Sequence, residues 1–139
     1  MATFVLVPGM WLGGWAWQDV TDDLRAAGHR VYPVTLTGLG ERVHLGGPQV
    51  NLDTHAADVA NLLRYEDLHD VVLVGHSFGG TVITAAADQV AERIAHLVYV
   101  DTWPLPAGVA QFDMNPPAAQ EAQEQQAAAH GGWGLPLPP

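Results

Sequence analysis

Apolar residues fall into four short runs separated by stretches with helical spacing. Thr3-Phe4-Val5-Leu6-Val7, stopped by Pro8-Gly9, reads as a strand buried on both faces. After the Gly- and Trp-rich loop Met10 to Gly14, Trp17, Val20 and Leu24 predict a helix over about 15–27, with Gly28 where a left-handed cap belongs. His29 to Val34 reads as a second strand, and Pro33 assigns it to an edge or an end. Thr35 to Val50 holds four glycines and no period, so it reads as loop. Asn51 or Asp53 caps a helix to about Leu63 that carries Val59, Leu62 and Leu63 on one side. Asp70 to Gly75 is the clearest buried strand, a small-residue helix follows over about 78–91, and Ala95 to Val100 is the fourth strand. Strands alternating with helices predict an α/β fold: a parallel sheet of about four strands, flanked by helices and linked by right-handed crossovers.

Past Trp103 the character changes. Residues 1–103 carry the patterned core, whereas 104–139 are rich in Ala, Gln, Pro and Gly, with one helix expected around 118–129. The closing Leu-Pro-Leu-Pro-Pro reads as an extended linker cut short. The 139 residues include no cysteine, which removes disulfides, thiolate metal sites and cysteine nucleophiles. Five Arg and no Lys against 15 acidic residues give a formal charge of −10, which disfavours nucleic acid and anionic membranes as partners. With no long apolar run and no basic leader, a soluble, cytoplasmic protein is the expectation.

The chemistry concentrates at Gly75-His76-Ser77-Phe78-Gly79-Gly80, between the best strand and the best helix. A strand-to-helix turn this tight needs small residues two positions either side of a nucleophile, and Gly75 and Gly79 supply them. It lifts the Ser77 hydroxyl above the carboxyl edge of the sheet and aims the Phe78 N–H at a developing negative oxygen. Ser77 is the only serine in the chain. The loop after the first strand, Pro8-Gly9-Met10-Trp11, is placed to give the second donor, the Met10 N–H, with Gly9 allowing close approach.

These residues resemble the α/β-hydrolase superfamily, and within it the group of plant-type methylesterases, hydroxynitrile lyases and small bacterial esterases. The resemblance is carried by Pro8 to Trp11 leading to Gly14-Trp15-Ala16-Trp17, by Leu24 to Val31, by Gly75 to Gly80 and by Val100-Asp101, and covers about residues 3–103. It implies a partial α/β-hydrolase fold with the start of a lid segment, Ser77 as nucleophile, and Met10 and Phe78 as backbone oxyanion donors. It further implies hydrolysis of a small-molecule carboxylic ester through an acyl-enzyme, without metal or organic cofactor. Hydroxynitrile-lyase-like carbon–carbon cleavage and non-catalytic ligand binding are the alternatives on the same scaffold. Where many members have His-Gly after the first strand, this chain has Pro8-Gly9.

A serine hydrolase also needs a base and an acid, which in this superfamily follow the serine in the order acid, then histidine. Most of the 62 residues after Ser77 go to one helix, one strand and a lid-like stretch, so the final strands of the core and the usual acid and histidine are expected to be absent. Asp101, at the end of the fourth strand, is a substitute acid, and His130, before Gly131-Gly132, a substitute base. His76 is expected to point away from the site by strand alternation. The expectation is therefore an amino-terminal portion of a larger hydrolase, partnered by a complementary fragment or by self-association along the apolar edge Ala95 to Val100.

Other features read as structural. Trp11, Trp15, Trp17 and Trp103 are expected to pack in core and lid near the pocket mouth. His55 and Asp58, three apart on a helix, lack a third metal ligand and read as a solvated face. Gly38-Leu39-Gly40 lacks the third glycine of a dinucleotide loop.

Overall fold

Strand β1 (Thr3–Val7) runs up the middle of the sheet, as its uninterrupted apolar run requires. In the computed structural model, which describes residues 1–129, four parallel strands stand in the order β2-β1-β3-β4, with β2 over Arg30–Pro33, β3 over Val71–His76 and β4 over Ile94–Val100. The register pairs Val7 with Gly75, and Gly75 with Tyr99, so the upper ends of β1, β3 and β4 lie side by side.

Alternation along the strands divides the core in two. Val5, Val7, Val71 and Leu73 face helices α2 (Leu52–Tyr65) and α3 (Phe78–Val90) in the larger cluster, where Val59, Leu63, Val82, Ile83 and Ala86 are fully buried. Leu6, Val31 and Val74 face the other way, toward Trp17 and Leu24 of the first helical segment. The α/β architecture expected from the alternating runs is the one observed.

The helix expected over 15–27 differs in two respects. It begins as a 3-10 turn over Gly14–Trp17, with α1 proper over Gln18–Ala26. Its inward face is Trp17, Thr21 and Leu24, because Thr21 is buried while Val20 is 42% exposed. The helix ends as its glycine demands: Gly28 has φ 91°, its N–H reaches the Arg25 carbonyl at 3.0 Å and the His29 N–H reaches that of Leu24 at 3.1 Å. The α2 cap is Asn51, whose side chain accepts from the Thr54 N–H while the Thr54 hydroxyl accepts from the Asn51 N–H, both at 3.2 Å. The 35–50 loop contains a 3-10 segment over Gly40–Leu45.

β4 forms one edge of the sheet, and Leu97, Val98 and Val100 on it are 38–40% exposed. Beyond it, a 3-10 turn over Gln111–Met114 leads to α4 (Pro117–Ala129), which buries none of its residues. Among the described residues no helix is long and apolar enough to cross a membrane.

Candidate active site

The bend between β3 and α3 forces Ser77 into φ 53°, ψ −118°, a left-handed conformation that a side-chain-bearing residue holds only where its surroundings impose it. A Cβ on Gly75 would lie 2.5 Å from the Gly79 carbonyl oxygen, so the turn closes only with glycine there. Gly80 is equally confined, by the Thr102 side chain. The Ser77 N–H donates to the Val100 carbonyl at 3.2 Å, and the Ser77 carbonyl accepts from the Gly80 N–H at 2.9 Å. Backbone contacts thus hold Ser77, leaving its partly exposed hydroxyl at the carboxyl end of the sheet. Among the described residues that hydroxyl is hydrogen-bonded to no imidazole and no carboxylate.

The loop after β1 comes against this bend. A Cβ on Gly9 would stand 3.4 Å from the Ser77 Cβ and 3.1 Å from His76 Nδ1, so the His76 ring flanks Gly9. The turn is closed by the Leu12 N–H on the Gly9 carbonyl at 3.3 Å, which does not use the Met10 N–H. Phe78 is the first residue of α3, and an N–H there has no intrahelical acceptor.

The region between these two arms is tied together by the 35–42 loop. Thr35 Oγ accepts from the Gly14 N–H at 2.8 Å and donates to Glu41 Oε2 at 2.7 Å, while Arg42 donates to the Thr35 carbonyl at 3.0 Å. The Thr35 hydrogen bond first, then the backbone N–H of Glu41 itself, with a smaller contribution from the Trp15 indole, hold the Glu41 carboxyl below its usual range. Asp58 accepts from both the N–H and the hydroxyl of Thr37, at 2.7 and 2.8 Å. His55, 7% exposed, donates Nε2–H to the Thr37 carbonyl at 2.8 Å, since a carbonyl can only accept. Its ring meets Phe78 edge-on with centroids 5.5 Å apart.

His55 and Asp58 therefore do not form the solvated face expected of them; both are engaged by the Thr37 backbone and side chain. One signal was present in the sequence: His55 precedes Val59 and Leu63 by four and eight, on the buried stripe of α2. The tryptophans divide. Trp17 is packed in the smaller core cluster, whereas Trp15 and Trp103 are 55% and 61% exposed, so core packing does not describe those two.

Asp101 has φ 52° and is exposed. It lines a cleft of about 430 Å³ with Thr81, Thr102, Trp103, Leu105, Met114 and Asn115, and Ser77 is not part of that lining. Among the described residues no hydrogen bond joins Asp101 to Ser77 or to a histidine. His130 lies outside the described residues.

A sequence model of the "Alpha/beta hydrolase family" matches residues 4–139. A carbendazim hydrolyzing esterase of Nocardioides sp. (strain SG-4G) is 53% identical over 103 residues, covering 74% of this chain and 43% of that protein. A pheophorbidase of Raphanus sativus is 36% identical over 100 residues, covering 70% of this chain and 37% of that one. Among solved structures, an extracellular alpha/beta-hydrolase from a Paenibacillus species superposes with a TM-score of 0.90 at 32% identity, over 99% of this chain and 56% of that one. The chain thus spans less than half the length of these two curated relatives.

Proposed function

The chain belongs to the alpha/beta hydrolase family, and from that membership we propose that Ser77 is the nucleophile of a carboxylic-ester hydrolase that works through an acyl-enzyme. The observation that carries this reading is the strained backbone of Ser77, shouldered by Gly75 and Gly79 at the sheet's carboxyl end. The esterase relatives support the reaction class.

In this reading Ser77 Oγ attacks the ester carbonyl carbon as its proton passes to a base. The carbonyl oxygen becomes an oxyanion facing the Met10 and Phe78 N–H groups, each such donor being worth roughly 3 kcal/mol to the transition state. The carbon–oxygen bond to the alcohol then breaks, and the alcohol leaves with the proton. Water attacks the acyl-enzyme, releasing the carboxylic acid and restoring the Ser77 hydroxyl. His130 is the base candidate and Asp101 the acid candidate, Asp101 because it follows the carbonyl that takes the Ser77 N–H.

The test is labelling with a fluorophosphonate in imidazole buffer, which supplies a proton acceptor, alongside turnover of a p-nitrophenyl ester. Label confined to Ser77 and lost in Ser77→Ala, with ester turnover, is the expected result. An unlabelled chain overturns the proposal, and so does cyanide release from a cyanohydrin without ester turnover.

A further inference from the structure

We propose that the segment Thr35–Thr37 aims both backbone donors beside Ser77, Thr35 acting through Gly14 and Thr37 through His55. This positioning role rests on the ester-hydrolase reading and deepens it. Two donors serve one oxyanion only if their mutual separation is fixed, and one of them sits on a loop made pliable by Gly9. That loop is seated on the Thr35 side of the segment: the Gly14 N–H donates to Thr35 Oγ, and the hydroxyl's single proton goes to Glu41. A Cβ on Gly40 would stand 2.8 Å from Gly13 Cα, so the turn that presents Glu41 presses directly on the same loop.

The other donor is reached from Thr37. Asp58 clamps Thr37 by two hydrogen bonds, the Thr37 carbonyl takes the His55 Nε2–H, and the His55 ring lies edge-on to Phe78 at the start of α3. His55 Nδ1 is buried without a partner among the described residues, so the ring is held by one hydrogen bond and by its packing. Two residues apart on one segment, Thr35 grips the arm that bears Met10 and Thr37 grips the arm that bears Phe78. The Glu41 carboxyl, held below its usual range first by the Thr35 hydrogen bond, stays an ionised acceptor to lower pH than an ordinary glutamate would.

The experiment is the kinetics of Ser77 phosphonylation by a fluorophosphonate in imidazole buffer, with the maximal rate separated from the concentration for half saturation. The Oγ–P bond forms, the P–F bond breaks, fluoride leaves and imidazole takes the serine proton. Thr35→Val, partly exposed and nearly isosteric, and His55→Leu are each expected to lower the maximal rate about 10- to 100-fold with half saturation unchanged. His55→Gln, whose amide nitrogen can stand where Nε2 did, is expected to recover most of the loss. Circular dichroism melts give the folded fraction of each variant.

Variants that label at the unaltered rate, or whose loss matches the unfolded fraction alone, overturn this inference while Ser77-dependent labelling leaves the hydrolase reading standing. An unlabelled parent chain overturns both.

Discussion

Gly79 is in backbone contact with Val7: a Cβ at position 79 would lie 2.5 Å from the Val7 carbonyl oxygen and 2.7 Å from that of Pro8. The first turn of α3 is thereby pressed against the end of β1, the point where the loop bearing Met10 begins. Both neighbours are backbone atoms, which cannot swing aside as a flexible side chain would.

Gly79→Ala is therefore expected to be costly. The helix start must move off β1, with a stability loss of about 1–3 kcal/mol as for other overpacked core positions. Urea denaturation checks the loss. Because the displacement also separates Ser77 from the β1 loop, fluorophosphonate labelling should fall even where the variant remains folded.

The strain at Ser77 makes a second prediction, opposite in sign. Glycine accepts φ 53° without penalty, whereas alanine keeps the unfavourable contact of its Cβ. Ser77→Gly should be more stable than Ser77→Ala by about 1 kcal/mol, after allowing for the greater freedom of glycine in the unfolded chain. Equal midpoints for the two variants would show that the bend is relaxed in solution.

The Glu41 carboxyl yields a pH prediction. Hydrogen bonds from Thr35, from its own backbone and from Trp15 lower its affinity for a proton in the folded chain relative to the ordinary value of 4.5. Between 4.5 and the lower folded value the unfolded chain binds the more protons, so stability rises with pH in that window. The contribution is present above 4.5 and is lost as pH falls through the folded value. Glu41→Gln should be less stable than the parent at neutral pH and indistinguishable from it in strong acid. Asp67, lowered by Arg93 and then His69, adds a slope of the same sign, so the comparison is made between these two proteins rather than on the parent alone.

The division between what was legible and what was not follows the range of the interactions. β1, β3 and α3 are marked by continuous apolar or small-residue runs bounded by glycine, and Ser77 stands at the junction of two of them; neighbours in sequence carry all of that. Which face of α1 turns inward could not be read the same way, because Val20 and Thr21 both fit the helical stripe and the position of the sheet decides between them. The Thr37–Asp58 and Thr37–His55 pairs join residues 21 and 18 apart, and a threonine in a glycine-rich loop gives no local sign of such a partner. The same holds for Asp101 and His130. Asp101 follows β4 directly, but among the described residues no hydrogen bond joins it to Ser77, and His130 lies outside the described residues.

The strand order also bears on how the molecule comes to exist. β1 pairs with β3 across the whole stretch of residues 8–70, so the central pairing closes the longest loop in the sheet and is expected to form late. Helices can gain their circular dichroism in an early phase, yet the β1 side of the bend at residue 77 is braced only when Gly79 meets Val7. During refolding, reactivity toward a serine-directed probe should then lag behind ellipticity, making Ser77 a reporter for the final step of sheet assembly.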